Sequence, residues 1–515
     1  MTKQLLQSTA TVGGMTLISR VLGLLRDMAI AQLFGATAGT DAFFVAFKIP
    51  NFLRRLFAEG AFSQAFVPVL MEYKTKQASE DVRQLVDRVS GTLGVVLFGV
   101  TALGIVAAPV LVAVFAPGFI GSEDRYDLSV YMLRITFPYL LFISLAAFAG
   151  AILNSYRQFG VPAFTPVLLN ISLILCAIFL APRLDKPITA LAWGVFIGGA
   201  AQLLFQLPFL LRIRLLPRPK IKPHDEGVRR IVKLMLPALF GVSVSQINLM
   251  VDTLIASFLV TGSVTWLYYS DRLVEFPLGA FGIALATVIL PSLSEKHAQG
   301  SVETFSHTLD WALRWVIVLG APATLGLVML AGPILTTLFQ YKEFSGFDVE
   351  MASRSLIAYA FGLLGFIFIK VLAPGFFARQ NTRTPVRIGI IAMLVNIVLN
   401  LIFVVPLAHA GLALATSLAA FLNAGLLYRA LRAEGVYRPV PGWASLLLRV
   451  AIACGVMGAV LTVGVGEIVT WLSWGVSARL THLALWIAVG VAAYFFSLWL
   501  VGLRWRDMTA KTRQV

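Results

Sequence analysis

The stretch AAPVLVAVF at residues 107–115 returns as AGPILTTLF at residues 331–339, at an offset of 224 residues. Prolines in similar surroundings repeat at almost the same offset. The pairs are Pro68 with Pro291 and Pro162 with Pro385, each at an offset of 223. Apolar helices can look alike by composition alone, but three matches in the same order predict an internal duplication.

The composition predicts that both copies lie in a membrane. Of the 515 residues, 58% are hydrophobic and only 13% are charged, and the mean hydropathy is +0.85, whereas a soluble domain carries about 25% charged residues. Apolar runs of about 20 residues, long enough to cross the hydrocarbon core, recur along the whole chain. Because these runs are continuous and do not alternate, they favour an all-α polytopic membrane protein over a β-barrel.

We predict about fourteen transmembrane helices, hereafter spans one to fourteen. They lie near residues 9–34, 41–70, 86–116, 128–155, 162–182, 187–211, 229–259, 263–293, 309–340, 350–378, 385–406, 409–430, 442–471 and 480–503.

The duplication groups the first twelve spans into two lobes of six. Residues 1–222 form the predicted N-terminal lobe and residues 223–436 the C-terminal lobe. Because six is even, the lobes share one orientation and are related by a pseudo-twofold axis along the membrane normal, as in known transporters. Residues 437–515 add spans thirteen and fourteen and a tail, outside the repeat.

Loop charge predicts that both termini are cytoplasmic. The loop RIRLLPRPKIKPHDEGVRR after span six and the C-terminal tail are rich in Arg and Lys, whereas the loops GATAGT and VTGS contain neither. This asymmetry follows the positive-inside rule. It also explains the net charge of +16 without a nucleic-acid partner.

Four arginines lie inside predicted spans: Arg20 and Arg26 on span one, Arg54 on span two and Arg272 on span eight. A charge at the bilayer centre costs roughly 2.5–3.5 kcal/mol on insertion scales, so such residues face a partner or a water-filled cavity. A guanidinium binds phosphate oxygens through two donors and stays protonated. We therefore expect an anionic substrate.

Four charged residues of span two share one helix face, because at 100° per residue they fall within about 40° of one another. They are Asp41, Lys48, Arg55 and Glu59. Such a stripe lines a cavity or, as the alternative, forms ion pairs that hold neighbouring helices together.

A second polar group lies in the C-terminal lobe, on spans seven, eleven and twelve. It comprises Asp252, Asn396, Asn400 and Thr416. Carboxylate, amide and hydroxyl oxygens are hard ligands that suit a small cation. The alternative is a cluster of hydrogen bonds between helices.

Three segments resemble the MurJ/MviN family. They are SRVLGLLRD (19–27), FGATAGTDAFFVAFKIPNFLRRLFAEGAFSQAFVPVL (34–70) and YYSDRLVEFPLG (268–279). The resemblance extends over essentially the whole chain. It implies a lipid II flippase of the bacterial inner membrane, in the superfamily that also holds MATE-type multidrug exporters. A flippase is a transporter and not an enzyme.

The resemblance also implies roles for individual residues. The cavity arginines of the family match Arg20, Arg26, Arg54 and Arg272, and its acids match Asp27 and Asp41. Spans thirteen and fourteen match a pair that forms a groove for the lipid tail. Some members of the family bind sodium, and the positions of their ligands match Asp252, Asn396, Asn400 and Thr416. Those members carry a second acid where this chain has Asn400.

We therefore predict that the chain moves lipid II, the undecaprenyl-pyrophosphate-linked peptidoglycan precursor, from the cytoplasmic to the periplasmic leaflet by alternating access. Membrane lipids and the cell-wall synthesis or division machinery are the expected partners, and sodium is the one candidate cofactor. One alternative is an exporter of another polyprenyl-linked glycan or of a drug; an exporter of cationic drugs would favour acids in its cavity, so the arginine excess fits it poorly. The other is a membrane enzyme acting on polyprenyl phosphates, but no loop offers the catalytic acids or metal ligands that it needs.

Overall fold

The computed structural model of the protein describes residues 3–56 and 62–503. Within these two ranges the chain is helical and forms no β-strand, so the predicted all-α class is confirmed. The chain divides into two compact units, Met1–Thr265 and Trp266–Val515.

The first unit holds the helices up to the start of α11. They are α1 (Lys3–Phe34), α2 (Ala38–Arg54), α3 (Ser63–Lys76), α4 (Ser79–Val106), α5 (Ala108–Phe115), α6 (Glu123–Thr136), α7 (Tyr139–Ser155), α8 (Gly160–Leu175), α9 (Thr189–Arg212), α10 (Glu226–Ala256) and α11 (Ser263–Pro277).

The second unit holds the rest of α11 and the helices that follow. They are α12 (Ala284–Ala298), α13 (Val302–Met329), α14 (Ala331–Phe339), α15 (Gly346–Phe377), α16 (Arg383–Ala433), α17 (Trp443–Val465), α18 (Ile468–Ser473) and α19 (Val476–Leu500).

The repeated stretches of sequence form equivalent elements. The short helices α5 and α14 each follow a helix of 28 residues, α4 and α13, after one non-helical residue. Each short helix has a proline near its start, Pro109 or Pro333, whose nitrogen cannot donate to the preceding turn. The same break in both copies supports the duplication. The predicted lobe boundary at 222/223 rests on this repeat and places α10 in the C-terminal lobe. The division into compact units places α10 in the first unit.

Ten helical segments among the described residues are long and apolar enough to cross a membrane. One of them, α16, has 51 residues and is broken at Ala408, where φ is 49° and ψ is −130°. The break lies between predicted spans eleven and twelve. Each of the two parts of α16 is long enough to cross a membrane by itself. The protein is thus a multi-pass membrane protein, while the count of fourteen spans stays a prediction.

Span two is not one continuous α-helix in the structure. The helix α2 ends at Arg54, residues 55–56 are π-helical, and α3 begins at Ser63. The 100° spacing behind the predicted stripe therefore holds for Asp41 and Lys48 but not beyond Arg54. Glu59 lies outside the described residues. Pro50 lies inside α2, where its missing N–H weakens the helix just before this change.

The helix α15 packs closely against the second half of α16 at Gly362. The absent side chain lets Ser417 approach, and its hydroxyl donates to the carbonyl of Ala358 at 2.6 Å. A Cβ at position 362 would lie 2.4 Å from Ser417 Oγ and 2.7 Å from Ser417 Cα. Only glycine fits without a shift of the backbone.

We expect Gly362→Ala to lower the stability of the protein by about 1–3 kcal/mol, the usual cost of overpacking. The measurement is thermal unfolding in detergent. Gly389→Ala on α16 is the control, because nothing lies within 4 Å of that added Cβ. Equal unfolding temperatures for the two variants would contradict the close packing at Gly362.

Polar contacts fix spans thirteen and fourteen to the rest of the second unit. At one end, Asp310 Oδ1 accepts from the Tyr437 hydroxyl and from Trp443 Nε1, both at 2.8 Å. Burial, with the hydrogen bond to Asp310, raises the pKa of Tyr437 above its usual range, so the hydroxyl stays a donor. Midway, the Tyr494 hydroxyl donates to the carbonyl of Val318 at 2.7 Å.

At the other end, Arg479 on α19 is 4% exposed. Its guanidinium donates to the backbone carbonyls of Thr336, Gln340, Trp471 and Leu472. Arg479 thus joins α14, α18 and α19. The two added spans are held at both ends, although the sequence repeat does not include them.

Candidate functional site

Arg26 and Asp27 on α1 form a buried ion pair. Arg26 is 5% exposed and Asp27 is 3% exposed. Arg26 Nε and Nη2 both donate to Asp27 Oδ1, at 2.9 and 2.6 Å. Arg26 Nη1 donates to Asn170 Oδ1 on α8 at 2.9 Å. Asn170 Nδ2 in turn donates to the carbonyl of Ser19 at 3.1 Å. One guanidinium is therefore held from two helices.

Arg20 lies on the same helix but is exposed. Six residues at 100° each place Arg20 and Arg26 on different faces of α1. Gly23 lies opposite Asn170, and a Cβ there would be 3.7 Å from Asn170 Nδ2. That is an ordinary contact, so α1 and α8 pack here without a strict need for glycine.

Asp41 lies in the first turn of α2 and is 1% exposed. Its Oδ2 accepts from the backbone N–H of Gly262 at 2.7 Å. Its Oδ1 accepts from the backbone N–H and the hydroxyl of Thr265, at 3.0 and 2.7 Å. The carboxylate therefore satisfies donors at the N-terminus of α11, where an anion is favoured by the helix dipole.

The other charged residues predicted on span two differ in their surroundings. Lys48 Nζ donates to Thr253 Oγ1 on α10 at 3.1 Å. Asp252, which precedes Thr253 in the sequence, is 9% exposed. Arg54 Nε donates to Asn51 Oδ1 at 3.1 Å within α2. Arg55 follows α2 and is partly buried.

Arg272 belongs to the second unit and lies on α11. Its Nη1 donates to Glu275 Oε2 at 2.9 Å and its Nε to the Tyr268 hydroxyl at 3.3 Å. The guanidinium also lies over the Tyr268 ring, 5.3 Å from the centroid. Glu275 and Tyr268 thus help to position Arg272, while its side chain stays 37% exposed.

The predicted cation ligands of the second unit form a short chain of hydrogen bonds in α16. Asn400 Nδ2 donates to Asn396 Oδ1 at 3.0 Å, and Asn396 Nδ2 donates to Thr416 Oγ1 at 3.1 Å. The two asparagines are fully buried, at 1% and 0% exposure. This chain joins the two halves of α16 across the break at Ala408.

The described residues contain no cluster of three or more His, Cys, Asp or Glu side chains that could hold a metal ion. The arginines, in contrast, have the chemistry of an anion site. Arg26 is buried and oriented by fixed acceptors, and Arg272 is held but accessible. Two donors on one guanidinium match two oxygens of a phosphate group.

Sequence reasoning missed two sets of contacts. Asn170 holds Arg26, and the only signal in the sequence was an amide inside the apolar span five. The donors to Asp41 at Gly262 and Thr265 lie more than 200 residues away in the chain. They are mostly backbone N–H groups, which no residue type reveals.

Comparison with known proteins relates the whole chain to one family. The family model described as "Lipid II flippase MurJ" matches residues 30–483. A probable lipid II flippase MurJ of Vibrio cholerae is 53% identical, covering 99% of this chain and 98% of its own length. The lipid II flippase MurJ of Burkholderia cenocepacia is 43% identical, covering 97% of this chain and 98% of its own length.

Solved structures agree with the sequence comparison. A lipid II flippase MurJ in an inward closed conformation matches with a TM-score of 0.80 and 28% identity, covering 96% of this chain and 99% of that one. An inward-facing MATE-family multidrug transporter matches with a TM-score of 0.67 at 14% identity, covering 83% of this chain and 98% of that one. The second likeness shows the fold alone.

Proposed function

This chain belongs to the MurJ family, and from that premise we propose how it moves its substrate. It is a lipid II flippase, and hence a transporter and not an enzyme. We propose that Arg20, Arg26, Arg54 and Arg272 bind the pyrophosphate of lipid II on the cytoplasmic side. The headgroup then crosses by alternating access while the polyprenyl tail stays in the lipid.

The buried arrangement around Arg26 is the observation that supports this proposal best. Its guanidinium is already fixed by Asp27 and Asn170. Binding an anion therefore costs little additional side-chain ordering, which is the advantage of a preorganised site. Arg20 and Arg54 are on α1 and α2 of the same unit, and Arg272 lies on α11 in the second unit.

Asp41 has a different place in the proposed cycle. Both of its oxygens are engaged by the start of α11, the helix that also carries Arg272. The loops beside these contacts, GATAGT and VTGS, are the ones predicted to be periplasmic. We propose that Asp41 holds this side closed while substrate is bound from the cytoplasm. Release of the α11 N-terminus then accompanies opening.

The predicted cytoplasmic side carries the linker between α9 and α10. Asp225 caps α10 by accepting from Gly227 N at 3.0 Å, and it also pairs with Arg88. Arg230 donates to Glu72 at 2.7 Å, which lowers the pKa of that carboxyl. We also propose that the protein lies in the bacterial inner membrane with both termini in the cytoplasm. Its proposed partners are the proteins of cell-wall synthesis or division.

The test is translocation of labelled lipid II in vesicles reconstituted with the full chain. We expect the label to become accessible in the opposite leaflet much faster than in protein-free vesicles, with lipid II chemically unchanged. A membrane potential should alter the rate, because each charge moved is worth about 2.3 kcal/mol per 100 mV. An unchanged rate relative to protein-free vesicles, or a cleaved product, would contradict the proposal.

Sodium binding by Asp252, Asn396, Asn400 and Thr416 stays a prediction. The oxygens of Asn396 and Thr416 each accept one amide hydrogen, so an ion would bind through the second lone pair of each oxygen. We expect Asn400→Asp to increase stabilisation by sodium over potassium, because it supplies a carboxylate ligand. Thermal unfolding in matched salts measures this. Equal salt effects in the variant and the natural chain would exclude the position as a ligand.

A further inference from the structure

A buried histidine directly follows the break of α16 at Ala408. His409 is 3% exposed, and its Nε2 lies 2.8 Å from the carbonyl oxygen of Met351 on α15. A carbonyl oxygen can only accept, so we assign the hydrogen of the neutral ring to Nε2. The other ring nitrogen, Nδ1, is buried and has no hydrogen-bond partner among the residues that the structure describes. Buried polar atoms normally have partners, so this nitrogen calls for an explanation.

The ring of His409 belongs to a cluster that joins α11, α15 and the break of α16. It lies against the buried Trp266 of α11, with the two ring centroids 5.0 Å apart. Trp266 Nε1 donates to Asp348 Oδ1 on α15 at 2.9 Å. The other oxygen of Asp348 accepts from the backbone N–H and the hydroxyl of Ser345, at 2.9 and 2.7 Å. Asp348 thus has hydrogen bonds to both of its oxygens within the cluster.

The other charged groups on these three helices are few. On α15, Arg354 forms an ion pair with Glu350 at 2.7 Å. The nearest charges on α11 are Asp271 and Arg272, five and six residues beyond the tryptophan. Residues 388–428 of α16 contain no Asp, Glu, Lys or Arg. A second proton on the histidine would therefore place a positive charge in a buried, mainly aromatic environment, which costs free energy that access to water removes.

The backbone beside the histidine is in a rare conformation. At Ala408, φ is 49° and ψ is −130°, a region that suits glycine but is costly for a residue with a Cβ. Such strain persists only where the surrounding packing holds it. The contact of His409 with Met351 is part of that packing. Loss of this contact should therefore let the break in α16 relax.

We propose that Nδ1 of His409 is a proton-binding site whose occupation opens the break in α16. The neutral ring packs against Trp266 and keeps the break closed. The protonated ring is a cation that is stable only where water reaches it, so protonation and opening favour each other. Loop charge predicts that this end of spans eleven and twelve is periplasmic. The inference rests on the proposed function: it makes the flippase respond to periplasmic pH through α11, the helix that carries Arg272.

The test is hydrogen exchange on the full chain in nanodiscs, without lipid II. It is run at about pH 7.5 and about pH 5.5, on either side of the ordinary histidine pKa of about 6.5. The readout is the exchange rate of backbone amides in residues 402–412. Comparing proteins at the same pH cancels the intrinsic effect of pH on exchange.

The informative variant is His409→Gln, because a glutamine amide can donate to Met351 but binds no proton. His409→Asn is the second variant, in case the longer amide disturbs the packing. His482→Gln is the matched control. His482 Nδ1 lies 2.8 Å from the carbonyl oxygen of Ala478, and its ring is 4.2 Å from that of Trp474, so this change also removes a histidine that contacts a carbonyl and an indole.

We expect exchange in the natural chain, relative to His409→Gln, to rise up to about tenfold between the two pH values. A histidine that water reaches is mostly protonated at the lower pH and mostly neutral at the higher one, which shifts the opening equilibrium by about that factor. His482→Gln should respond as the natural chain does. In vesicles, acid on the predicted periplasmic side should change the rate of lipid II translocation in the natural chain but not in His409→Gln.

Equal pH responses in the natural chain and in both variants of His409 would overturn the inference, and would indicate that Nδ1 only holds a buried water. A response that His482→Gln also abolishes would overturn it too. Failure of the proposed function is a separate result, because it appears as absence of lipid II translocation by the natural chain at either pH. The exchange measurement contains no substrate and does not depend on that outcome.

Discussion

Replacing Arg26 with alanine is expected to slow lipid II translocation about 100-fold or more. The substitution removes charge-assisted hydrogen bonds to the pyrophosphate, each worth about 1.5–3 kcal/mol, and each 1.4 kcal/mol corresponds to about a factor of ten. The measurement is the initial rate of label exposure in reconstituted vesicles, at equal amounts of inserted protein.

Loss of folding must be separated from loss of function, because Arg26→Ala breaks a buried ion pair with Asp27. Removing one partner of a buried pair destabilises a protein by about 3–5 kcal/mol. The double variant Arg26→Ala/Asp27→Ala removes both charges and should unfold at a higher temperature than the single variant. It should be equally slow in translocation. A double variant that restores translocation would show that Arg26 serves only to neutralise Asp27.

Arg272→Ala is expected to have the next largest effect, a loss of roughly 10- to 100-fold in translocation rate, by the same reasoning about charged hydrogen bonds. Its side chain is partly exposed, and its pair with Glu275 lies within one helix. Exposed pairs contribute only about 0–1 kcal/mol to stability. The variant should therefore fold normally, so the lost rate reports on substrate binding.

Arg272→Lys separates charge from geometry. Lysine keeps the positive charge but cannot offer the planar pair of donors that a phosphate accepts. We expect it to stay well below the natural rate. Arg354→Ala is the control, since Arg354 forms a similar exposed pair with Glu350 at 2.7 Å on α15. If Arg272→Lys equals the natural chain, a charge suffices and bidentate binding is excluded.

The sequence predicted the all-α, multi-pass class correctly because long hydrophobic runs indicate it directly. The duplication was visible in residues 107–115 and 331–339, and these segments are the equivalent short helices α5 and α14. The break in α16 at Ala408 lies in the two-residue gap between predicted spans eleven and twelve. Hydropathy locates apolar segments because it is a local property. Proline is a weaker guide to their ends, since Pro68 and Pro291 lie inside α3 and α12.

The site was less predictable because its geometry depends on contacts between distant segments. The polar stripe of span two assumed ideal helix geometry, which ends at Arg54. Arg26 and Asp27 were identified from their charge, but Asn170 was not, because one amide in an apolar helix has many roles. The donors to Asp41 include backbone groups, which have no signature in the sequence.

The central claim is that the arginines recognise the pyrophosphate, and its most direct test is a comparison of two ligands. One is lipid II, and the other is an analogue in which a neutral linker replaces the pyrophosphate. Their dissociation constants are measured for the natural chain, Arg26→Ala and Arg272→Ala. We predict that the natural chain strongly prefers lipid II and that each variant loses most of this preference. An equal preference in all three proteins would contradict the account.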